Sequence, residues 1–196
     1  MRVAFFNYLA LDYGGGLAKY YSEITTGLKK RYPRLDLSVV SFDEEFSNKI
    51  QKMYSLYFLT KKNTQQANHS QYTKMKVKNI SYVKAKNLGD LKRVLGSFNL
   101  IYCKNDFVEA AILRVIGIKT NPRVIFGFHT PVLYDRATTI QDKLHNVIYN
   151  SFLYKYLLKD ARKLHVLNNF DNNLLEEKFP NIPVSLIQNP FDFDGM

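Results

Sequence analysis

The chain has 196 residues, is 46% apolar and carries a formal charge of +11 at neutral pH, which suits one domain with one core and is too short for two full α/β domains. No run approaches the roughly 18 to 20 apolar residues that cross a bilayer, and the lone cysteine, Cys103, excludes an internal disulfide and a thiolate metal cluster, leaving it as a small core residue. Residues 49–93 hold eleven Lys and Arg against one acid, Asp90, and so carry +10 of the +11, an uneven balance that excludes a uniformly cationic nucleic-acid coat and points to a local anion-facing patch.

Met1-Arg2 leads directly into a strand pattern rather than a signal peptide, so a cytoplasmic location is expected, with membrane association left open. The first strand is Val3-Ala4-Phe5-Phe6. A glycine turn, Gly14-Gly15-Gly16, follows, and residues 17–32 repeat Leu17, Tyr20, Tyr21, Ile24 and Leu28 at helical spacing. Strand, turn and helix open a doubly wound α/β domain. In such folds ligands meet the carboxyl ends of strands beside helix N-termini, which presents the Gly15 and Gly16 amides to an anionic or hydroxylated group. The alternative is a purely structural turn. Its spacing fits neither G-x-x-x-x-G-K-[ST] nor G-x-G-x-x-G, which argues against a P-loop NTPase or a dinucleotide enzyme.

Pro33 and Asp36 mark a turn before a strand at 37–42. Residues from about 45 to 79 read as an irregular basic insertion around one short apolar stretch, residues 53–59, either an interfacial anchor or an ordinary buried segment. Regular patterning resumes with a strand at 80–83, a helix at 88–95 capped by Asn87, and a strand at 100–103. A helix at 107–118 follows, with Asp106 as its cap and Gly117 and Asn121-Pro122 at its end. The strand at 123–128 runs into His129-Thr130-Pro131. Residues 139–162 make the longest helical pattern, a core-covering helix or one that faces a membrane or partner. A strand at 164–167, a helix at 172–179 and a strand at 184–187 reaching Gln188-Asn189-Pro190 complete the chain. Alternating strands and helices predict an α/β fold, a mostly parallel sheet with helices on both faces, as a single domain over residues 1–190.

His129 stands just past a predicted central strand, and Pro131 keeps a helix from starting at once. An imidazole titrating near pH 6.5 at that edge can accept a proton or hydrogen bond from a substrate hydroxyl, or else cap the next turn. His69, His145 and His165 are weaker candidates. None is spaced with another His, Cys or carboxylate as a metal site requires, and no nucleophile elbow is present.

The run Gly15-Gly16-Leu17-Ala18-Lys19-Tyr20-Tyr21-Ser22-Glu23-Ile24, with Leu28 beyond, resembles the Gly-Gly turn and first helix of glycosyltransferase family 4, retaining two-domain enzymes of the GT-B type. A basic residue and a glutamate often stand there where Lys19 and Glu23 stand here. His129 after its strand resembles the family's strand-end histidine. The stretches 164–169 and 184–192 resemble the close of the first domain, with Asn168 where many relatives have Ser and Pro190 where many have Gly.

The resemblance implies a Rossmann-like, acceptor-binding half of a GT-B enzyme, with residues 191–196 beginning an interdomain linker. It also implies transfer of a sugar from a nucleotide-sugar donor to an acceptor hydroxyl, with retention and no obligatory metal. The chain would hold no cofactor and be inactive alone; the nucleotide sugar would come with a second, donor-binding domain in cis or in trans. His129 would be the catalytic residue. Gly15 and Gly16 would lie against donor phosphates or acceptor, with Lys19, Thr130, Asn168 and Asn189 completing the substrate contacts. Lys52, Lys61, Lys62, Lys74, Lys76 and Lys78 would favour an anionic or lipid-linked acceptor, or peripheral contact with a membrane surface. The competing expectation is a non-enzymatic basic α/β module for nucleic acid or an anionic membrane. No groove-reading element and no aromatic interleaving supports the nucleic-acid form, so no nucleic-acid partner is expected.

Overall fold

The computed structural model describes residues 1–9, 16–57, 81–104, 107–118 and 123–187. The chain divides into two compact units, Met1–Ser97 and Phe98–Met196.

In the first unit β1 (Arg2–Phe6), β2 (Asp36–Phe42) and β3 (Ser81–Ala85) pair in parallel in the order β3-β2-β1. After its first residue each of β1 and β2 is buried at every position. That is why both read as near-continuous apolar runs instead of alternating ones, as parallel strands covered on both faces do. Helices α1 (Gly16–Arg31) and α2 (Glu44–Tyr57) stand between them in the chain, and α3 (Leu88–Gly96) follows β3. Tyr21 of α1 packs its ring 5.6 Å from that of Phe5 and donates its hydroxyl to the Phe6 carbonyl at 3.2 Å. Asn87 caps α3 as its sequence position suggests, its side-chain oxygen accepting from the Asp90 amide.

The second unit carries β4 (Leu100–Lys104), β5 (Val124–Gly127), β6 (Lys163–Val166) and β7 (Val184–Leu186), all parallel and in sequence order. Helices α4 (Phe107–Val115), α5 (Ile140–Asn150), α6 (Phe152–Leu158) and α7 (Asn169–Lys178) join them. Ile101, Cys103, Val124, Phe126, Leu164 and Val166 are fully buried and alternate along their strands, so they line one face of this sheet. The opposite face carries Tyr102, Lys104, Gly127 and His165. The α/β class with a parallel sheet, expected from the sequence, is the class observed.

Helix α4 closes in a Schellman motif: Ile118 donates to the Leu113 carbonyl, Gly117 to that of Arg114, and Gly117 sits at φ 69°. A side chain at that dihedral collides with its own carbonyl, so Gly117→Ala is expected to lower the unfolding free energy by about 1–2 kcal/mol. Urea denaturation reads this directly, and an unchanged midpoint would contradict the left-handed cap.

Two sequence expectations are corrected. Residues 44–57 form a 14-residue helix where an irregular insertion was expected. The Asp43 carboxylate accepts from the Phe46 amide, Glu44 and Glu45 occupy the first turn, and Phe46 packs on Phe42 at 4.6 Å, so the helix starts ahead of the basic run that hides its pattern. The remainder of that insertion, 58–80, lies outside the described residues. The single helix expected over 139–162 is two helices broken at Ser151. Ser151 holds an extended conformation, ends α5 by donating its amide to the Ile148 carbonyl, and begins α6 by accepting from the Tyr154 amide. A serine that caps in both directions competes with the helical ladder and splits it.

Candidate functional site

Three polar rings meet near the carboxyl ends of β4, β5 and β6. Tyr102 leaves β4 on the face that also bears Lys104, and its hydroxyl lies 3.0 Å from Nε2 of His129 and 2.8 Å from Nδ1 of His165. His129 stands two residues beyond β5, and His165 is in β6, paired in register with Gly127. The two imidazoles are 5.9 Å apart, edge to face. His165 Nε2 is 2.9 Å from the Ile187 carbonyl just past β7, so the chain of contacts crosses four strands.

Gly127 makes the arrangement fit. A Cβ on it would lie 2.0 Å from the Tyr102 hydroxyl, 2.6 Å from Cζ and 3.0 Å from His129 Nε2. The phenol therefore passes through the space an ordinary side chain would fill, which is the close-approach role of a glycine inside a strand.

Both imidazoles are disposed to stay neutral. Burial, then the neighbouring His165, then the Lys104 ammonium push the His129 pKa down to about 4. Burial also lowers that of His165, against the opposing pull of the Ile187 carbonyl. At neutral pH the cluster is thus two neutral imidazoles bridged by a phenol. It can exchange hydrogen bonds with a docked hydroxyl and move a proton, and it sits where parallel α/β sheets receive ligands.

Of the site residues named from the sequence, His129 falls in this cluster and Thr130 is exposed beside it. Asn168 caps α7: its side chain accepts from the Asp171 amide and donates to the Asp171 carboxylate, each at 2.8 Å. Asp171, only 3% exposed, accepts in turn from the Val132 amide at 3.0 Å, tying the loop after His129 to α7. Gly16 is the first residue of α1 and Lys19 lies in its first turn, both in the other unit. Lys52 is exposed on α2. Gly15, Asn189, Lys61, Lys62, Lys74, Lys76 and Lys78 lie outside the described residues, as does the Asp106 cap.

Tyr102 and Gly127 escaped the sequence reading, and His165, ranked there among the weaker candidates, belongs to the cluster. An isolated glycine late in an apolar strand was the available signal, because it marks close approach by something else. His145, another of the weaker candidates, stacks on Tyr149 at 3.9 Å and lies 3.1 Å from the Val132 carbonyl, a packing role. Among the described residues no group of three or more His, Cys, Asp or Glu could hold a metal ion, and no helix is long and apolar enough to cross a membrane. A depression of about 450 Å³, lined by Met1, Arg31 and residues 32–35, lies at the amino ends of β1 and β2, the edge away from strand carboxyl ends.

No family model and no curated protein matches the chain. Among solved structures, MurG from Acinetobacter baumannii is similar at 10% identity with a TM-score of 0.43. The match covers 86% of this chain and 42% of that one, so the chain spans less than half the length of that protein.

Proposed function

We propose that the chain is the acceptor-binding half of a retaining glycosyltransferase of the GT-B type, completed by a donor-binding domain that brings the nucleotide sugar. The observation that carries this reading is the order of the motifs. A Gly-Gly pair before the first helix, a strand-end histidine and the 164–169 and 184–192 stretches follow one another as in that family, and His129 is drawn into a half-buried, uncharged cluster suited to a hydroxyl. In this reading His129 meets the acceptor, with Thr130 beside it. Gly15, Gly16 and Lys19 remain the contacts for donor phosphates or acceptor, with Asn168 at the N-cap of α7 and Asn189 completing the substrate contacts.

The test joins the chain to a GT-B donor-binding domain, as a fusion or in trans, and supplies nucleotide sugars with hydroxyl acceptors. The expected result is transfer with the anomeric configuration retained, falling by about 10²–10⁴-fold in His129→Ala while circular dichroism shows the fold intact. Transfer by the variant at the original rate would overturn the assignment.

A second observation favours peripheral contact with anionic lipid. Ile140 and Val147 on α5 are 85% and 67% exposed, and Phe152 and Leu153 on α6 are 84% and 53% exposed. Exposed Lys143, Lys155 and Lys159 stand among them, with the Lys159 ammonium 4.6 Å from the Tyr156 ring centre. Apolar side chains among lysines suit a surface with acyl chains under anionic headgroups. Co-sedimentation with phosphatidylglycerol vesicles is expected to exceed that with phosphatidylcholine, and Phe152→Ser with Leu153→Ser is expected to reduce it at least about tenfold, since each buried CH₂ contributes about 0.8 kcal/mol. Equal retention on both vesicle types would contradict the contact.

A further inference from the structure

Hydrogen-bond direction in the Tyr102, His129 and His165 cluster can be read from one fixed point. The Ile187 carbonyl can only accept, so the His165 Nε2 that faces it carries hydrogen. A neutral His165 then has its lone pair on Nδ1, and the Tyr102 hydroxyl, 2.8 Å away, donates to it. Having spent its one hydrogen, the Tyr102 oxygen accepts from His129 Nε2 at 3.0 Å. We infer that Tyr102 and His165 are positioning residues that hold His129 as its Nε2–H tautomer, so that His129 takes up protons and hydrogen bonds at Nδ1 alone.

The consequence is chemical selection. Whatever group meets His129 Nδ1 must bring the hydrogen itself, as a hydroxyl does and an ionised phosphate oxygen does not. Resting on the transferase reading, this assigns His129 to the acceptor's hydroxyl and leaves donor phosphates to other groups. Among the described residues, His165 from β6 and Tyr102 and Lys104 from β4 face His129, and none of these three supplies an anion that would hold an imidazolium. Burial keeps both imidazoles uncharged at neutral pH, and at His129 the neighbouring His165 and the Lys104 charge act in the same direction, the condition that hydrogen-bond direction here requires.

The experiment is long-range ¹H–¹⁵N correlation on the full chain labelled at histidine, at pH 7, which reports which ring nitrogen bears hydrogen. His129 and His165 are both expected as neutral Nε2–H tautomers. In Tyr102→Phe, His165 keeps its tautomer through Ile187, whereas His129 becomes a mixture. Hydrogen on His129 Nδ1 in the native chain, or an unmixed His129 in a folded Tyr102→Phe variant, would overturn the inference. The native spectrum decides on its own if the variant does not fold. Because the readout needs no sugar transfer, a failed transferase assay leaves the tautomer result standing, and the reverse also holds.

Discussion

Gly127→Ala is expected to lower the unfolding free energy by more than about 3 kcal/mol, which is the upper end of the usual cost of overpacking alone, and to dismantle the polar cluster. The new methyl would stand 2.0 Å from the Tyr102 hydroxyl and 2.6 Å from Cζ, separations at which one group has to leave. Gly127 lies in β5 between Lys104 of β4 and His165 of β6, held by the ladder on both sides, so the phenol is the group that moves. Its departure breaks the contacts to both imidazoles at once, and each polar group left buried without its bond adds about 1–3 kcal/mol of desolvation cost. Urea denaturation at pH 7 measures the total. Tyr102→Phe in the Gly127→Ala background should cost less than the sum of the two single changes, since the phenylalanine lacks the atom nearest the methyl. Additive costs would mean that Gly127 and Tyr102 do not share that space.

Acid should destabilise the fold well above the range where carboxylates titrate. His129 takes a proton near pH 6.5 in the unfolded chain but only at about 4 in the folded one. Protonation therefore favours unfolding: the contribution is fully present above about pH 6.5 and is lost as the pH falls toward 4. A depression of that size corresponds to a loss on the order of 3 kcal/mol at most. His165, also lowered by burial, pulls in the same direction. Asp90, held down by the Arg93 guanidinium, and Asp142, held down by the Thr139 amide, lose their contributions only below about pH 4 and so act outside this window. Stability measured by urea between pH 7 and 4.5 should fall steadily, and His129→Gln should flatten the slope. A native curve that is flat across the window would contradict the burial of neutral imidazoles.

The fold was legible because its strands are long apolar runs and its helices keep a clear period. Val3 to Phe6 and residues 37–42 announce buried parallel strands, and Asn87 and Thr139 announce helix starts that the structure confirms by their cap bonds. Where local chemistry competes, the reading slipped. Ser151 breaks a helical pattern that residues 139–162 otherwise sustain, and the lysines of 49–78 masked a helix begun by Asp43. The site was legible in part for a different reason. His129 announces itself by standing at a strand end, but its partners are 27 and 36 positions away, and only strand register brings Tyr102 and His165 to it. Spacing along a chain does not carry that information; the glycine that makes room for the phenol does, in retrospect.

The most direct measurement is the titration of the His129 and His165 ring Cε1 protons by NMR on the native chain from pH 8 to 3.5. A single uncharged unit of two imidazoles and a phenol predicts a His129 midpoint near 4, with His165 also below the ordinary imidazole value. A native His129 that titrates near 6.5 would contradict the site on which the functional reading is built.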